Sequence, residues 1–544
     1  MTEKQKFERL AKRYFNWAYQ QWPIWATALG IHHFDDRLTD YSKRAMSKRL
    51  ADLKRFYQTL SLIDSQKLDL MSQTEYLILK DDLAWSILEE EKVRSFEKNP
   101  GLYVDEVVWG LFFLLTREFA PTKVRAKSLL ARLKKAPQVL RQGKKNLKNQ
   151  PKVYTQVAIQ TCEGALLLLE KRVPKFAQKA PKLEKKILSA NKKVIAALED
   201  YLAYLKKLLK SSKGDFALGE ELFEKKLALA QRLDYSAKEL LDLGWEIFRQ
   251  TEKELEAVAK EIEPDKTWAD VVKKLRQVRP EPEKLLETYQ EEVRKLKKFL
   301  AKNQIVPLPG DEELKVVKTP HSERATTPYA AYLSPAPFEK DQTGQFWVTP
   351  IDKKLAVEEQ ERQLEEHSLA HLPVIVLHES YPGHHLQLVW ANRADSLVRK
   401  HSHNTPYCEG WALYCERLME EVGYLARPEQ RFFRLKDKLW RAARVILDVS
   451  LHTGGMSFDE AVDFLVEKVH LARPSALTEI RRYTLTPTYP LSYLLGKLEI
   501  LKLREEMKKR LGKKFDLNDF HRQFLATGTI PLKLARKELL EKLK

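Results

Sequence analysis

The sequence predicts a mainly α-helical protein with a small β-rich segment, arranged as a large two-lobed body with a central cleft. Three observations predict it. Leu, Lys, Glu and Ala dominate 544 residues that only 18 Gly and 25 Pro punctuate, a texture of long helices rather than many short strands. Apolar residues recur at helical spacing before residue 304 and again after about 354. Between these limits, from IVPLPGDEELKVVKTP to TTPYAAYLSPAPFEKDQTGQFWVTP, the Pro, Gly, Thr and aromatic content rises and the helical period disappears. At 43% hydrophobic and 32% charged, the chain has apolar surface enough for a large core, which excludes wholesale disorder.

The elements follow in order. SAKELLDLGWEIFRQTEKELEAVAKEIEP, at 236–264, opens with Ser236 and Glu239 in capping-box spacing and stops at Pro264. Thr267 with Asp270 opens the next helix, and Pro280 and Pro282 are read as entry prolines of a helix running to Asn303. Residues 1–303 are assigned to an N-terminal helical lobe. Residues 304–544 form a C-terminal lobe holding the β-rich segment, the two lobes being one integrated unit.

The net charge of +20 is concentrated: residues 121–213 hold 24 Lys or Arg against 5 Asp or Glu. Lys pairs alternate there with Leu, Ile, Val and Ala at helical spacing, as on helices with one solvated and one buried face. No nucleic-acid-binding motif accompanies them, so a nucleic-acid partner is not expected. Three scattered cysteines, Cys162, Cys408 and Cys415, make no disulfide framework. The opening MTEKQKFERLAKRYF has no apolar core of a signal peptide, and no run is long enough to span a membrane. A cytoplasmic protein is expected.

Histidine is uneven. Nine of 13 lie between 321 and 452: His321, His367, His371, His378, His384, His385, His401, His403 and His452. The centre is VIVLHESYPGHHLQLVW at 374–390, where His378-Glu379 precedes the pair His384-His385. Zinc peptidases place two His four apart on one helix face, with Glu beside the first as general base. Here the spacing is six or seven. On a regular helix His378 and His385 would stand about 10 Å apart at ~1.5 Å per residue, too far to share an ion. Pro382 and Gly383 can interrupt the helix and fold an imidazole back. The third ligand is sought in YCEGWALYCERLMEE at 407–421, where Glu409 is the ligand expected and Glu416, two turns on, its supporting carboxylate. Cys408 and Cys415 fit a buried stripe better than a ligand set. The bland alternative, a hydrogen-bonded core His pair, does not account for Glu379 directly after an apolar run.

These motifs resemble the bacterial family catalogued as domain of unknown function 885, itself similar to helical gluzincin-type zinc metallopeptidases. The resemblance covers nearly the whole chain and rests on WPIWATALGIHHFDDRLTDYS, HESYPGHHLQ, EGWALYCERL, RAARVILDVSLHTGGMSFDEA and EIRRYTLTPTYPLSYLLGKLEILKLR. In thimet-type and angiotensin-converting-enzyme-type peptidases a Gly-His pair precedes the ligand Glu by about 25 residues. Aligning it with Gly383-His384 implies a two-residue insertion, places Glu409 at that distance and favours His384 over His385. Relatives usually carry Pro-Gly-Gln-Ala before Leu-Ser-Tyr, where this chain has Pro487-Thr488-Tyr489-Pro490. The departure bears on specificity if that loop lines a substrate pocket.

The resemblance implies a zinc-dependent peptidase with His378, His384 and Glu409 as ligands and Glu379 moving the proton. It also implies an oxyanion donor from a C-terminal segment: Tyr493 first, then Tyr483 and His452. Arg324, Arg481 and Arg482 are weaker candidates for a substrate carboxylate, and 326–350 for a β-edge that binds peptide backbone. Two rivals stand beside this reading: a zinc hydrolase of non-peptide amides, and a non-catalytic helical protein that binds an anionic partner through 121–213.

Overall fold

The helices begin where local chemistry says they should. In the computed structural model, which describes all residues except 321–323, 325, 326, 328, 354 and 544, Ser236 caps helix α1 (Ala237–Ile262) with a reciprocal Ser236–Glu239 box. Thr267 likewise accepts from the Asp270 N–H at the head of Trp268–Arg276. The entry prolines behave differently. Pro282 sits in a turn closed by the Lys284 N–H on the Glu281 carbonyl, and helix α2 (Leu285–Asn303) starts only at Leu285. Proline restricts the residue before it as well as itself, which favours a turn over an early helix start.

The chain forms two compact units, Met1–Leu218 with Ala336–Lys340, and Gly219–Pro335 with Asp341–Lys544. The first is helical throughout its described length apart from turns and one isolated bridge. Its core includes Leu129, Leu133 and Leu140 of helix Thr122–Asn146 and Val194, Leu198 and Leu205 of helix Pro181–Leu208. Lys134, Lys135, Lys185, Lys186, Lys192 and Lys193 are exposed on the other faces of the same helices, so the basic segment is two-faced as its spacing requires.

The second unit contains the one sheet, of order β1-β3-β2: β1 (Glu313–Lys318), β2 (Ala330–Leu333) and β3 (Thr343–Val348). β1 runs parallel to β3 with Val316 opposite Phe346, and β2 antiparallel with Tyr332 opposite Phe346. The change of texture read at residue 304 is this strand segment. Seven further helices follow in chain order that bear on the site: α3 (Leu372–Glu379), α4 (His384–Asn392), α5 (Thr405–Glu421), α6 (Pro428–Thr453), α7 (Arg473–Leu485), α8 (Ser492–Leu511) and α9 (Leu517–Leu525).

Two glycine contacts position what these helices carry. A Cβ on Gly383 would lie 2.0 Å from the His378 carbonyl oxygen, so only glycine lets the chain turn back against the end of α3. A Cβ on Gly410 would meet the Gly496 Cα at 2.4 Å. There α5 and α8 cross backbone to backbone, which brings Glu409 beside the segment carrying Tyr489 and Tyr493.

Candidate metal centre

The apolar run LPVIVL drives α3 into the core, with Val376 and Leu377 fully buried, and leaves His378 and Glu379 at its last turn. The helix stops at Ser380, whose backbone leaves helical space at φ −109°, ψ −102°. After a cis Tyr381-Pro382 bond and Gly383, the chain enters α4 at His384. The interruption at Pro382-Gly383 is thus present, and the His378 and His384 rings stand edge to face with centroids 4.8 Å apart.

Glu409 comes to them from the first turns of α5, capped by Asn404. One ligand atom each from His378, His384 and Glu409 lie within 4.8 Å of one another, the one such trio of His, Cys, Asp or Glu among the described residues. The His384 Nε2 to Glu409 Oε2 distance is 3.3 Å. Two ligands on a tetrahedral ion at about 2.0–2.1 Å would be separated by about 3.3 Å. The buried Glu409 Oε2 has no hydrogen bond, while Tyr489 donates to Oε1 at 2.5 Å. The His378 Nδ1 is paired with Glu416 Oε1 at 2.8 Å, which leaves Nε2 as its outward nitrogen. A carboxylate behind a ligating imidazole fixes its tautomer and raises its basicity.

The charges around the trio are strongly coupled. Burial alone would raise the Glu409 carboxyl, but His384, His378 and the Tyr489 hydroxyl hold it well below the usual carboxylate range. Burial opposes a charge on His384 and Glu409 outweighs it, so that imidazole sits above its ordinary value. Burial and the Glu409 charge together push the Tyr489 phenol up. Glu379 is half-buried at the end of α3. Its charge is felt by Tyr289, Tyr332 and His384.

Other sequence candidates go elsewhere. His385 is fully buried with Nδ1 3.0 Å from the Tyr332 hydroxyl and Nε2 3.1 Å from the Tyr381 hydroxyl, and burial pushes it down to about 4. The Tyr483 hydroxyl donates to Glu479 at 2.7 Å and accepts from Arg444 at 2.9 Å. His452 is buried against the Tyr483 carbonyl, 3.1 Å away, and stacks with Phe223. Both are thus engaged within the core. Tyr493 packs on Tyr489, with ring centroids 5.9 Å apart, beneath the Arg444 guanidinium at 4.7 Å. Arg482 is drawn onto Glu479 at 2.7 Å, Arg324 donates to the Thr319 carbonyl, and the Arg481 Nε is buried with no hydrogen bond. These three guanidiniums share no partner.

The remaining histidines of the cluster have partners outside the trio: His367 with Tyr289, His371 with Asp437, His401 with the Leu397 carbonyl and His403 with Cys408 Sγ at 3.8 Å. His321, and residues 326 and 328 of the 326–350 stretch, lie outside the described residues. Cys162, Cys408 and Cys415 are free and buried.

Two residues that local patterns did not single out complete the site. Tyr489 binds Glu409 from the loop between α7 and α8. Asp448, fully buried on α6, accepts from the Thr488 and Leu491 N–H groups at 3.1 and 3.3 Å and so pins that loop. Thr488 takes φ +67° there. Only the Pro487-Thr488-Tyr489-Pro490 departure marked the loop in the sequence.

Solved structures share this fold. The chain aligns at a TM-score of 0.85 and 26% identity, over 98% of itself and 99% of the other chain, with "a putative lipoprotein of unknown function from Shewanella oneidensis". It aligns equally well, at 20% identity over 100% and 99%, with "the putative lipoprotein from Colwellia psychrerythraea", a likeness of fold alone. No curated protein matches it. Neither description names an activity. The Shewanella oneidensis protein, at 26% identity, is described as a "putative lipoprotein", which corrects the expectation of a cytoplasmic protein: few cysteines and an unremarkable opening segment do not fix a compartment. No described helix is long and apolar enough to cross a membrane. With residues 23–539 matching that family, the chain belongs to the group described as "Bacterial protein of unknown function (DUF885)".

Proposed function

We propose that the chain is a zinc-dependent hydrolase of peptides. The observation that carries this is the trio His378, His384 and Glu409 with ligand atoms within 4.8 Å, backed by Glu416 and flanked by Glu379. The donor set, two imidazoles and one carboxylate, is that of open catalytic zinc sites rather than closed structural ones. The gluzincin-like reading of the frame rests on the same residues: His-Glu at the end of one helix, a displaced second His, and a Glu 25 residues further on.

A bound zinc ion would supply Lewis acidity and a more acidic water. Glu379, next to His378 in sequence and not itself in the trio, would take a proton from the attacking water and return one to the leaving amine. Glu416 holds the His378 ring in one tautomer. Tyr489 occupies Glu409 Oε1 and leaves Oε2 for the ion. Tyr493, packed against Tyr489, is the hydroxyl assigned to the developing oxyanion.

The test is a mixed peptide library read by mass spectrometry with zinc-loaded wild type and Glu379→Gln side by side. The variant keeps its zinc by elemental analysis and loses about 10²–10⁴-fold in turnover. Equal cleavage by both removes Glu379 from the mechanism. A library left intact by zinc-loaded wild type moves the reading to non-peptide amides.

A further inference from the structure

The segment that supplies Tyr489 and Tyr493 also carries a charge that the proposed chemistry leaves unused. Glu479 Oε2 collects three donors: the Tyr483 hydroxyl at 2.7 Å, Arg482 Nη2 at 2.7 Å and Arg444 Nη2 at 3.0 Å. Two guanidiniums thus share one carboxylate. A guanidinium does not give up its proton in a protein, so one positive charge in this cluster stays unmatched.

The two cations are not equally placed to meet an anion. The Arg444 side chain is 6% exposed. Its Nε is taken by the Tyr483 hydroxyl at 2.9 Å, and its Cζ lies over the rings of Trp440 and Tyr493 at 4.5 and 4.7 Å. Arg482 is 34% exposed, and the bond to Glu479 is the one hydrogen bond of its side chain among the described residues. Of five N–H donors set in a planar fork, most are left open. The unmatched charge is therefore presented by Arg482.

Its position ties it to the trio. Arg482 Cζ stands 5.8 Å from the centre of the Tyr489 ring, and the hydroxyl of that ring is bonded to Glu409 at 2.5 Å. One aromatic side chain separates the guanidinium from the trio. Tyr489, Tyr493 and His384 are each half-buried, so the ring has solvent access on the way from one to the other. At about 3.3–3.6 Å per extended residue, a substrate group one or two residues from the scissile bond spans such a ring. We propose that Arg482 binds a carboxylate of the substrate, one or two residues from the scissile bond, with Tyr489 as the wall between this subsite and the trio. The subsite rests on the peptidase reading and deepens it: the favoured peptides carry an anion near the cleaved bond. A free C-terminus and an acidic side chain offer the fork the same two oxygens, and the test separates them.

The library peptide that zinc-loaded wild type cleaves fastest is remade in two neutralised forms. One ends in an amide, and the other has every Asp or Glu within two residues of the scissile bond changed to Asn or Gln. Wild type loses about 10-fold or more in kcat/KM on one of them, the size of a hydrogen bond to a charged group, and that form identifies the source of the carboxylate. Arg482→Gln loses a similar factor on the parent peptide and nothing further on the neutralised form. Binding supplies a readout without turnover: calorimetry with zinc-loaded Glu379→Gln shows the same preference for the parent, and adding Arg482→Gln removes it. Zinc content and melting temperature are recorded for each variant, and a half-exposed side chain predicts little change in either. Wild type indifferent to both neutralisations, or an Arg482→Gln variant that still discriminates, overturns the subsite and leaves the peptidase reading standing. No cleavage of any library peptide by zinc-loaded wild type overturns both.

Discussion

The two compact units both bury charge, and they differ in how far the buried carboxylates are satisfied. In Met1–Leu218, Arg132 is fully buried and donates to the Arg37 and Gly110 carbonyls at 2.9 and 2.6 Å and to Thr27 Oγ1 at 2.6 Å. Arg125 likewise ends on the Ala120 and Leu114 carbonyls. In Gly219–Pro335 with Asp341–Lys544, by contrast, oxygens of the buried Glu409 and Glu416 stay without a hydrogen bond. Among the described residues, the buried carboxylate oxygens lacking one all belong to this second unit. The difference teaches that burial of charge does not by itself mark a site. An acceptor kept dry and unsaturated, with two imidazoles facing it, does.

The sharpest way to break this comparison is at a proposed ligand. His378→Ala is expected to take zinc from about one per chain to near zero and to abolish turnover, read by elemental analysis of protein reloaded after chelation. Folded wild type that takes up no zinc under the same reloading would erase the distinction between the units.

Glu416→Gln probes the support behind the ligand. Loss of the charge behind His378 is expected to weaken zinc by about 10- to 100-fold, measured by competition with a chromogenic chelator. An unchanged affinity would make Glu416 an ordinary buried carboxylate.

The first unit supplies the control. Arg132→Met leaves two backbone carbonyls and the Thr27 hydroxyl short of a donor. Each unsatisfied buried group costs about 1–3 kcal/mol, so a lower melting temperature with unchanged zinc stoichiometry is expected. Loss of zinc here would show that the Arg132 network supports the trio.

A further test concerns pH. Burial raises Asp448 to about 8, against the opposing pull of the Thr488 and Leu491 N–H groups. A carboxyl whose folded value lies above its unfolded value of about 4 binds its proton more tightly when folded. Its contribution to stability is full below about pH 4 and falls away as pH rises towards 8. Asp448→Asn, which cannot ionise, should show a flatter dependence of melting temperature on pH from 5 to 8 than wild type. Parallel profiles would mean that Asp448 is ionised throughout.

The boundary between what could be read and what could not runs through single motifs. The Ser236–Glu239 and Thr267–Asp270 caps were legible because both partners lie within one helical turn. The break at Pro382-Gly383 was legible because proline and glycine act on their own backbone. The HESYPGHH segment shows where such reasoning stops. His384 and His385 are neighbours of the same type, and nothing local separates the ring that faces Glu409 from the ring that two tyrosines claim. Tyr483 and His452 looked as available as Tyr493 until Arg444, Glu479 and a backbone carbonyl were seen to occupy them.

By itself the sequence determined the helical texture, the position of the one strand segment, the two-faced basic helices and the residues from which a metal site can be built. These depend on periodicity, capping and backbone restriction, which act over a few residues. Tertiary structure alone decided the β1-β3-β2 order, the Tyr489 bond to Glu409 across 80 residues, the Asp448 hold on its loop, and the meeting of His385 with Tyr332. Each is a contact between segments distant in the chain, and its geometry is set by packing, such as the meeting of Gly410 with Gly496, that no local pattern encodes.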